Sequence, residues 1–213
     1  MKVALLAGGT GLIGSQLLQL LVEDEGYNKV KCLTRNTLPI SHDKIEIIKT
    51  NGENLNEVSS FLVADDVFCC LGTTIKKAGT KEAFRKIDFD YPLHLAQLTQ
   101  AHGARQFLLI SALGADPSSS VFYNKVKGDV EEAIAAIGFN TYHVFRPSLL
   151  LGNRSEERSG EDAAKIFFKL FGFIIPGKYK AIDSAKVARA MLAMAKKNEQ
   201  GTFIYESKLL QRF

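Results

Sequence analysis

Apolar positions fall into two alternating periods along this chain. Lys2 to Ala7 (KVALLA) is a short apolar run, the pattern of a strand buried on both faces of a parallel sheet. Leu12 then opens a helical repeat carried by Ile13, Leu17, Leu18, Leu20 and Leu21. Further strands are predicted at Val30 to Thr34, Lys44 to Lys49, Asp66 to Leu71, Arg105 to Ser111 and Thr141 to Phe145. Helical patterns cover Asn54 to Leu62, the stretch from Gly79 to His102, and Val121 to Ile137. A reset is expected near Asp90-Tyr91-Pro92, because proline suits a first helical turn. Asn36 to Asp43, marked by Pro39, and Gly72 to Gly79 are predicted loops. Strands separated by helices mean a parallel sheet with right-handed crossovers. The expected fold class is α/β, a doubly wound parallel sheet.

After the sixth strand the pattern weakens. Asn153 to Gly160 is a polar loop, and Glu161 to Phe171 reads as a helix with an apolar stripe. Phe171 to Ile175 (FGFII) is apolar again, and either lines a pocket or packs the core. Asp183 is placed to cap a helix running to Lys197, and Thr202 to Tyr205 reads as a last strand. A single domain is expected over residues 1–213, with a dinucleotide-binding core at 1–150 and a substrate-side segment at 151–213.

The turn after the first strand sharpens that reading. Gly8, Gly9, Thr10 and Gly11 separate the strand from Leu12, Ile13 and Gly14. Gly9, Gly11 and Gly14 make GxGxxG; Gly8, Gly11 and Gly14 make the overlapping GxxGxxG. Without a Cβ such a turn admits positive φ and lets a pyrophosphate approach the backbone. The free N–H groups and positive dipole end of the helix then face two phosphates. Strand, glycine turn and helix together read as a Rossmann-type nucleotide site. A βα turn that binds nothing is the plainer alternative.

Composition removes several function classes. Hydrophobic content of 46% and charged content of 23% over 213 residues are ordinary for a globular chain with a substantial core. The net charge is only +4, and its densest basic pairs are Lys76-Lys77 and Lys196-Lys197. Neither nucleic acid nor membrane is therefore an expected partner. No apolar run approaches the roughly 18 residues of a membrane helix. The first strand also lacks the charged start and cleavage site of a signal peptide. The three cysteines include the pair Cys69-Cys70 and show no metal-ligand spacing. They read as buried thiols in a reducing compartment, the cytoplasm, with no metal site.

Cofactor choice turns on the end of the second strand. A site selective for NAD usually places an acid there to hold the ribose 2′-hydroxyl. Here the strand ends Leu33-Thr34-Arg35-Asn36, without one. Arg35 is either a solvated strand-end residue or the partner of a 2′-phosphate, and the absent acid favours NADP(H).

Chemistry is expected at the carboxyl ends of the strands. Ser111 closes the fifth strand, and Tyr123 and Lys127 share one face of the following helix. Tyr27 and Lys31 repeat that spacing, but Tyr27 falls between the first helix and second strand, at the wrong edge. Tyr123 lies twelve positions past Ser111, on the correct edge.

These residues resemble the short-chain dehydrogenase/reductase superfamily. CCLGTT from Cys69, DFDY from Asp88, SALGAD from Ser111, YNKVKG from Tyr123 and VFRPSLLLG from Val144 are similar to its atypical branch of Tat-interacting-protein oxidoreductases. The likeness covers about the first 150 residues well. It implies one Rossmann domain that binds NADPH, with Leu71, Gly72, Thr73 and Pro147 bordering the cofactor beside the glycine turn. Some members of the branch are better known as regulatory binding proteins than as enzymes. Two departures stand out. Asp88 occupies a position where many members of the superfamily have an asparagine that organises a relay water. Asn51-Gly52 follows the third strand where an acid often meets adenine.

The implied chemistry is carbonyl reduction or its reverse, on a small carbonyl or alcohol. A free tyrosine titrates near about 10, too high for a base at neutral pH. A lysine cation ~4 Å away favours a phenolate by on the order of 4 kcal/mol at an effective dielectric near 20. Tyr123 is thus the expected proton donor, Lys127 its electrostatic support, and Ser111 the donor to the developing alkoxide. The alternative is an NADPH-loaded regulatory or sensor protein that binds a protein partner without significant turnover.

Overall fold

The computed structural model describes residues 1–38, 40–151 and 180–213. Pro39 and the expectations for Asn153 to Gly160, Glu161 to Phe171 and the FGFII run lie outside the described residues.

Strand and helix alternate as the apolar periods require. β1 (Lys2–Ala7) leads through the glycine turn into α1 (Leu12–Glu23), followed by β2 (Tyr27–Thr34) and β3 (Ile45–Lys49). β4 (Asp66–Cys69) precedes two short helices, α2 (Ile75–Ala78) and α3 (Lys81–Arg85). A π turn (Lys86–Asp90) joins α3 to α4 (Tyr91–Ala101). β5 (Gln106–Ile110), α5 (Phe122–Ala135) and β6 (Thr141–Arg146) follow. The chain then forms β7 (Leu150–Leu151), β8 (Ile182–Asp183), α6 (Ser184–Ala195), β9 (Gly201–Glu206) and α7 (Ser207–Leu210).

Seven strands make one parallel sheet in the order β3-β2-β1-β4-β5-β6-β9; β7 and β8 pair separately. This is the doubly wound Rossmann-like sheet. The strand order turns back between β1 and β4, which opens a crevice at the carboxyl edge. Each sheet face is apolar because each is covered. Leu6, Val30, Phe68, Leu108 and Phe145 pack against Leu17, Leu18 and Leu21 of α1 and Val187 and Met191 of α6. Leu5, Val67, Phe107, Leu109 and Val144 pack against Leu95 of α4 and Val130 and Ile134 of α5.

Two local expectations are corrected. Asn54 to Leu62 forms only a short 3₁₀ turn at Ser59–Phe61. Asn54 Oδ1 instead accepts from the Thr50 hydroxyl (2.8 Å) and the Asn51 N–H (3.3 Å), the local bonding by which asparagine competes with a helix. The predicted loop Gly72 to Gly79 holds α2, because Thr74 caps it by accepting from the Lys77 N–H at 3.2 Å. The reset expected near Asp90-Tyr91-Pro92 is present: the π turn ends at Asp90, and α4 opens at Tyr91 with Pro92 in its first turn. Asp183 does cap α6, accepting from the Ala185 N–H at 2.9 Å.

His143 on β6 is fully buried, its ring stacked on Phe203 at 5.4 Å and its Nδ1 3.0 Å from the Tyr205 hydroxyl. Its Nε2 has no hydrogen-bond partner. Burial, with a smaller contribution from Lys197, lowers the imidazole to about 4. A depressed histidine leaves folding stability intact above the unfolded value of about 6.5, and stability drains away as the pH falls from there towards about 4. Thermal melts at pH 7.5 and pH 5 should therefore show a smaller acid loss for His143→Phe than for the unaltered protein. Equal losses in the two proteins would contradict this account.

Candidate functional site

Parallel pairing brings most of the sequence-predicted residues to one edge. Gly8 to Gly14 follow β1, Arg35 follows β2, and Leu71 to Thr73 follow β4. Ser111 follows β5 and Pro147 follows β6. The Leu113 N–H donates to the Pro147 carbonyl at 2.9 Å, so the loops after β5 and β6 are tied together. Tyr27 lies at the opposite edge, buried, with its hydroxyl donating to Asp66 Oδ2 at 2.6 Å. Burial and Asp66 hold that phenol well above the usual tyrosine range. Tyr27 belongs to the core, and Lys31 donates to the Phe61 and Val63 carbonyls, each at 2.9 Å.

The glycine turn is closed by backbone contact. Gly8 has φ +84°, and its carbonyl accepts from the Gly11 N–H at 3.0 Å. A Cβ on Gly14 would stand 2.1 Å from that same carbonyl oxygen, so α1 rests directly on the turn. No side chain caps α1 and no acid stands in its first turn, which leaves the helix end able to take an anion. Arg35 is exposed at the end of the neighbouring strand.

Lys127 is a buried charge held against another. Its Nζ is 2.8 Å from Asp88 Oδ1, with side-chain exposures of 5% and 0%. Asp88 Oδ2 accepts from the Thr73 N–H at 2.9 Å. A Cβ on Gly72 would sit 3.8 Å from Lys127 Nζ, so the ammonium lies just beneath the exposed backbone of Gly72. Burial works against the lysine's charge, but Asp88, with further help from Tyr123 and Cys69, outweighs it and raises Lys127 above the ordinary value. Tyr123 is half-buried one turn earlier, its ring 5.4 Å from that of Phe84. Gly128 lets the preceding loop close over the helix: a Cβ there would be 2.1 Å from the Pro117 nitrogen.

Ser111 is engaged differently from the sequence expectation. Its hydroxyl donates to Glu131 Oε1, and Glu131 also takes both Arg146 Nε (3.1 Å to Oε1) and Nη2. Among the described residues no hydrogen bond joins Ser111 to Tyr123. Glu131 and Arg146 escaped the sequence reading. The available signal was spacing, since Tyr123, Lys127 and Glu131 recur every four residues on one helical stripe. Tyr91, whose ring packs on Gly52 after β3, was missed as well.

Among the described residues no cluster of His, Cys, Asp or Glu could hold a metal, and no helix is long and apolar enough to cross a membrane. The three cysteines are free; burial pushes Cys69 and Cys32 up to about 12.

Comparison with known proteins agrees with this geometry. The family model described as NAD(P)H-binding matches residues 8–198. The chain belongs to that NAD(P)H-binding family. Within this family it is 36% identical over 195 residues to protein HTATIP2 of Rattus norvegicus, covering 90% of this chain and 80% of that one. It is 31% identical to the mitochondrial protein FMP52 of Candida albicans, covering 91% and 88%. The resemblance to the Tat-interacting-protein branch is thus a homology. Among solved structures, MoeE5 with UDP-glucose and NAD superposes with a TM-score of 0.74 at 15% identity, covering 94% of this chain and 74% of MoeE5. WbmH of Bordetella bronchiseptica with NAD+ gives 0.72 at 16% identity, covering 97% and 76%. At such identities the likeness speaks for the fold.

Glu131 satisfies one cation and one hydroxyl inside this NAD(P)H-binding domain. Glu131→Ala strands both, and hydrogen bonds to charged groups are worth ~1.5–3 kcal/mol. Arg146 is partly exposed, so a loss of about 2 kcal/mol in urea unfolding is expected. A loss below about 0.5 kcal/mol, the range of ordinary surface changes, would rule out a structural role for the network.

Proposed function

We propose that the chain is an NADP-dependent oxidoreductase of the short-chain dehydrogenase/reductase type, acting on a small carbonyl or alcohol. The observation that carries this reading is Lys127, a buried ammonium held beneath the exposed backbone of Gly72, one helical turn from Tyr123. The nicotinamide cofactor supplies hydride when bound. Gly8, Gly9, Thr10, Gly11, Leu12, Ile13 and Gly14 hold the pyrophosphate, and Arg35 meets the 2′-phosphate. Leu71, Gly72, Thr73 and Pro147 line the remainder of the cofactor. Lys127 holds the nicotinamide ribose and Tyr123 passes its hydroxyl proton to the substrate oxygen. The single-domain division at residue 150 and a reducing, cytoplasmic setting belong to the same proposal; the FMP52 relatives are named mitochondrial.

A second reading has one observation in its favour. The Ser111 proton is already given to Glu131, so Ser111 offers the site a lone pair and no free donor. That suits an NADPH-binding regulatory protein with a protein partner better than it suits rapid turnover.

Arg35 tests the cofactor choice. Its charge-assisted contact is worth about 1.5–3 kcal/mol, so Arg35→Ala should weaken NADPH by roughly ten- to a hundredfold and leave NADH nearly unchanged. Fluorescence titration of both cofactors measures this. Unchanged NADPH affinity would remove Arg35 from the site, and tighter NADH binding by the unaltered protein would reverse the preference.

Tyr123 tests the chemistry. A panel of aldehydes and ketones is first screened for NADPH oxidation. Tyr123→Phe should then bind NADPH as before while turnover falls about a hundredfold or more. Persistent turnover in Tyr123→Phe would exclude tyrosine as proton donor. Tight NADPH binding with no turnover on a broad panel would favour the regulatory reading.

A further inference from the structure

Asp88 touches two parts of the site at once. One oxygen faces Lys127 Nζ at 2.8 Å and the other accepts the Thr73 N–H at 2.9 Å. It sits in the π turn between α3 and α4, and such local departures from α-helix are frequent at functional positions. Both side chains are closed off from solvent, so neither charge can be settled by water. A buried cation of this kind persists only against a fixed anion. The groups facing Lys127 are Asp88 from the π turn, Tyr123 from its own helix and Cys69 from β4. Of these, a thiol and a phenol are ordinarily neutral, which leaves Asp88 as the counter-charge.

We propose that Asp88 is a positioning residue that keeps Lys127 charged and locks it to the Gly72–Thr73 loop. An asparagine at this position would offer the Thr73 N–H an oxygen but leave Lys127 without an anion. Cofactor affinity is then insensitive to pH across the neutral range, because the lysine never loses its proton there. This last consequence rests on the proposed contact between Lys127 and the cofactor; the clamp itself does not.

Asp88→Asn separates the two parts. Thermal melts without cofactor are recorded from pH 6 to pH 9.5 for the unaltered protein, Asp88→Asn, Lys127→Met and the double variant. In the unaltered protein Lys127 is raised, so the pair contributes fully below the unfolded lysine value of about 10.5. In Asp88→Asn burial is the largest influence left and lowers Lys127, so that variant regains stability as rising pH removes the proton. Its deficit in Tm should therefore be largest at pH 6 and fall by half or more by pH 9.5. The same substitution made in Lys127→Met should show a pH-independent deficit. A deficit that ignores pH in both backgrounds would overturn the clamp and leave Asp88 as a mere anchor for Thr73. Should Asp88→Asn alone not fold, the double variant removes the orphaned charge and is expected to fold; failure of both overturns the proposal.

NADPH titration from pH 7 to pH 9 is the second arm. Kd should stay within about twofold in the unaltered protein and rise tenfold or more in Asp88→Asn. Asp88→Glu, which retains the charge, should restore the flat profile. A pH-shaped deficit in Tm with an unchanged NADPH profile would support the clamp and overturn the cofactor role of Lys127.

Discussion

Seven strands that run the same way leave their carboxyl ends along one edge, and nearly every group of the candidate site hangs from that edge. The glycine turn, Arg35, the Gly72–Thr73 loop, Ser111 and Pro147 come from five adjacent strands, β2, β1, β4, β5 and β6. None needs a long excursion to reach the others. The remaining parts, Tyr123 and Lys127, enter on α5, which the apolar face of β4 to β6 holds in place through Val130 and Ile134. Core packing therefore positions the candidate site as much as the loops do.

Two buried carboxylates organise the inner wall in the same manner. Asp88 takes one cation, Lys127, and one neutral donor, the Thr73 N–H. Glu131 takes one cation, Arg146, and one neutral donor, the Ser111 hydroxyl. Each pair is close to charge-neutral, which limits the cost of burying ions in a low-dielectric interior. Arg35 is the contrast: exposed at the end of β2, it is open to an incoming anion. The wall is balanced within itself, and the attraction is left to the rim.

The strands were legible because a strand buried on both faces shows as a continuous apolar run, and five of the six early ones lie within about two residues of the predicted bounds; β2 instead begins three residues early, at Tyr27. The segment from Asn54 to Leu62 misled because its asparagines satisfy themselves locally, an effect that apolar spacing does not register. The placement of the glycine turn, and of Tyr123 and Lys127 one turn apart on a helix, was legible because neighbours in sequence set both. The Asp88–Lys127 and Glu131–Arg146 pairs were not, since their members come from different elements and meet only when the sheet closes. The engagement of Ser111 was hidden for the same reason: its partner is twenty residues away, on the next helix.

The closeness of α1 to the Gly8 carbonyl, and of α5 to Pro117, also limits how this chain can drift under mutation. Glycine codons all begin with two guanines, and every single-base change that alters the residue either adds a side chain or ends translation. At Gly14 that side chain arrives 2.1 Å from a backbone oxygen, and at Gly128 it arrives 2.1 Å from a backbone nitrogen. Those atoms belong to the main chain, so no second substitution at the contact can make room. Both positions are therefore dead ends in sequence space: lineages can exchange the neighbouring Leu12, Ile13 or Val130 for other apolar residues, but can leave Gly14 or Gly128 only by moving a helix.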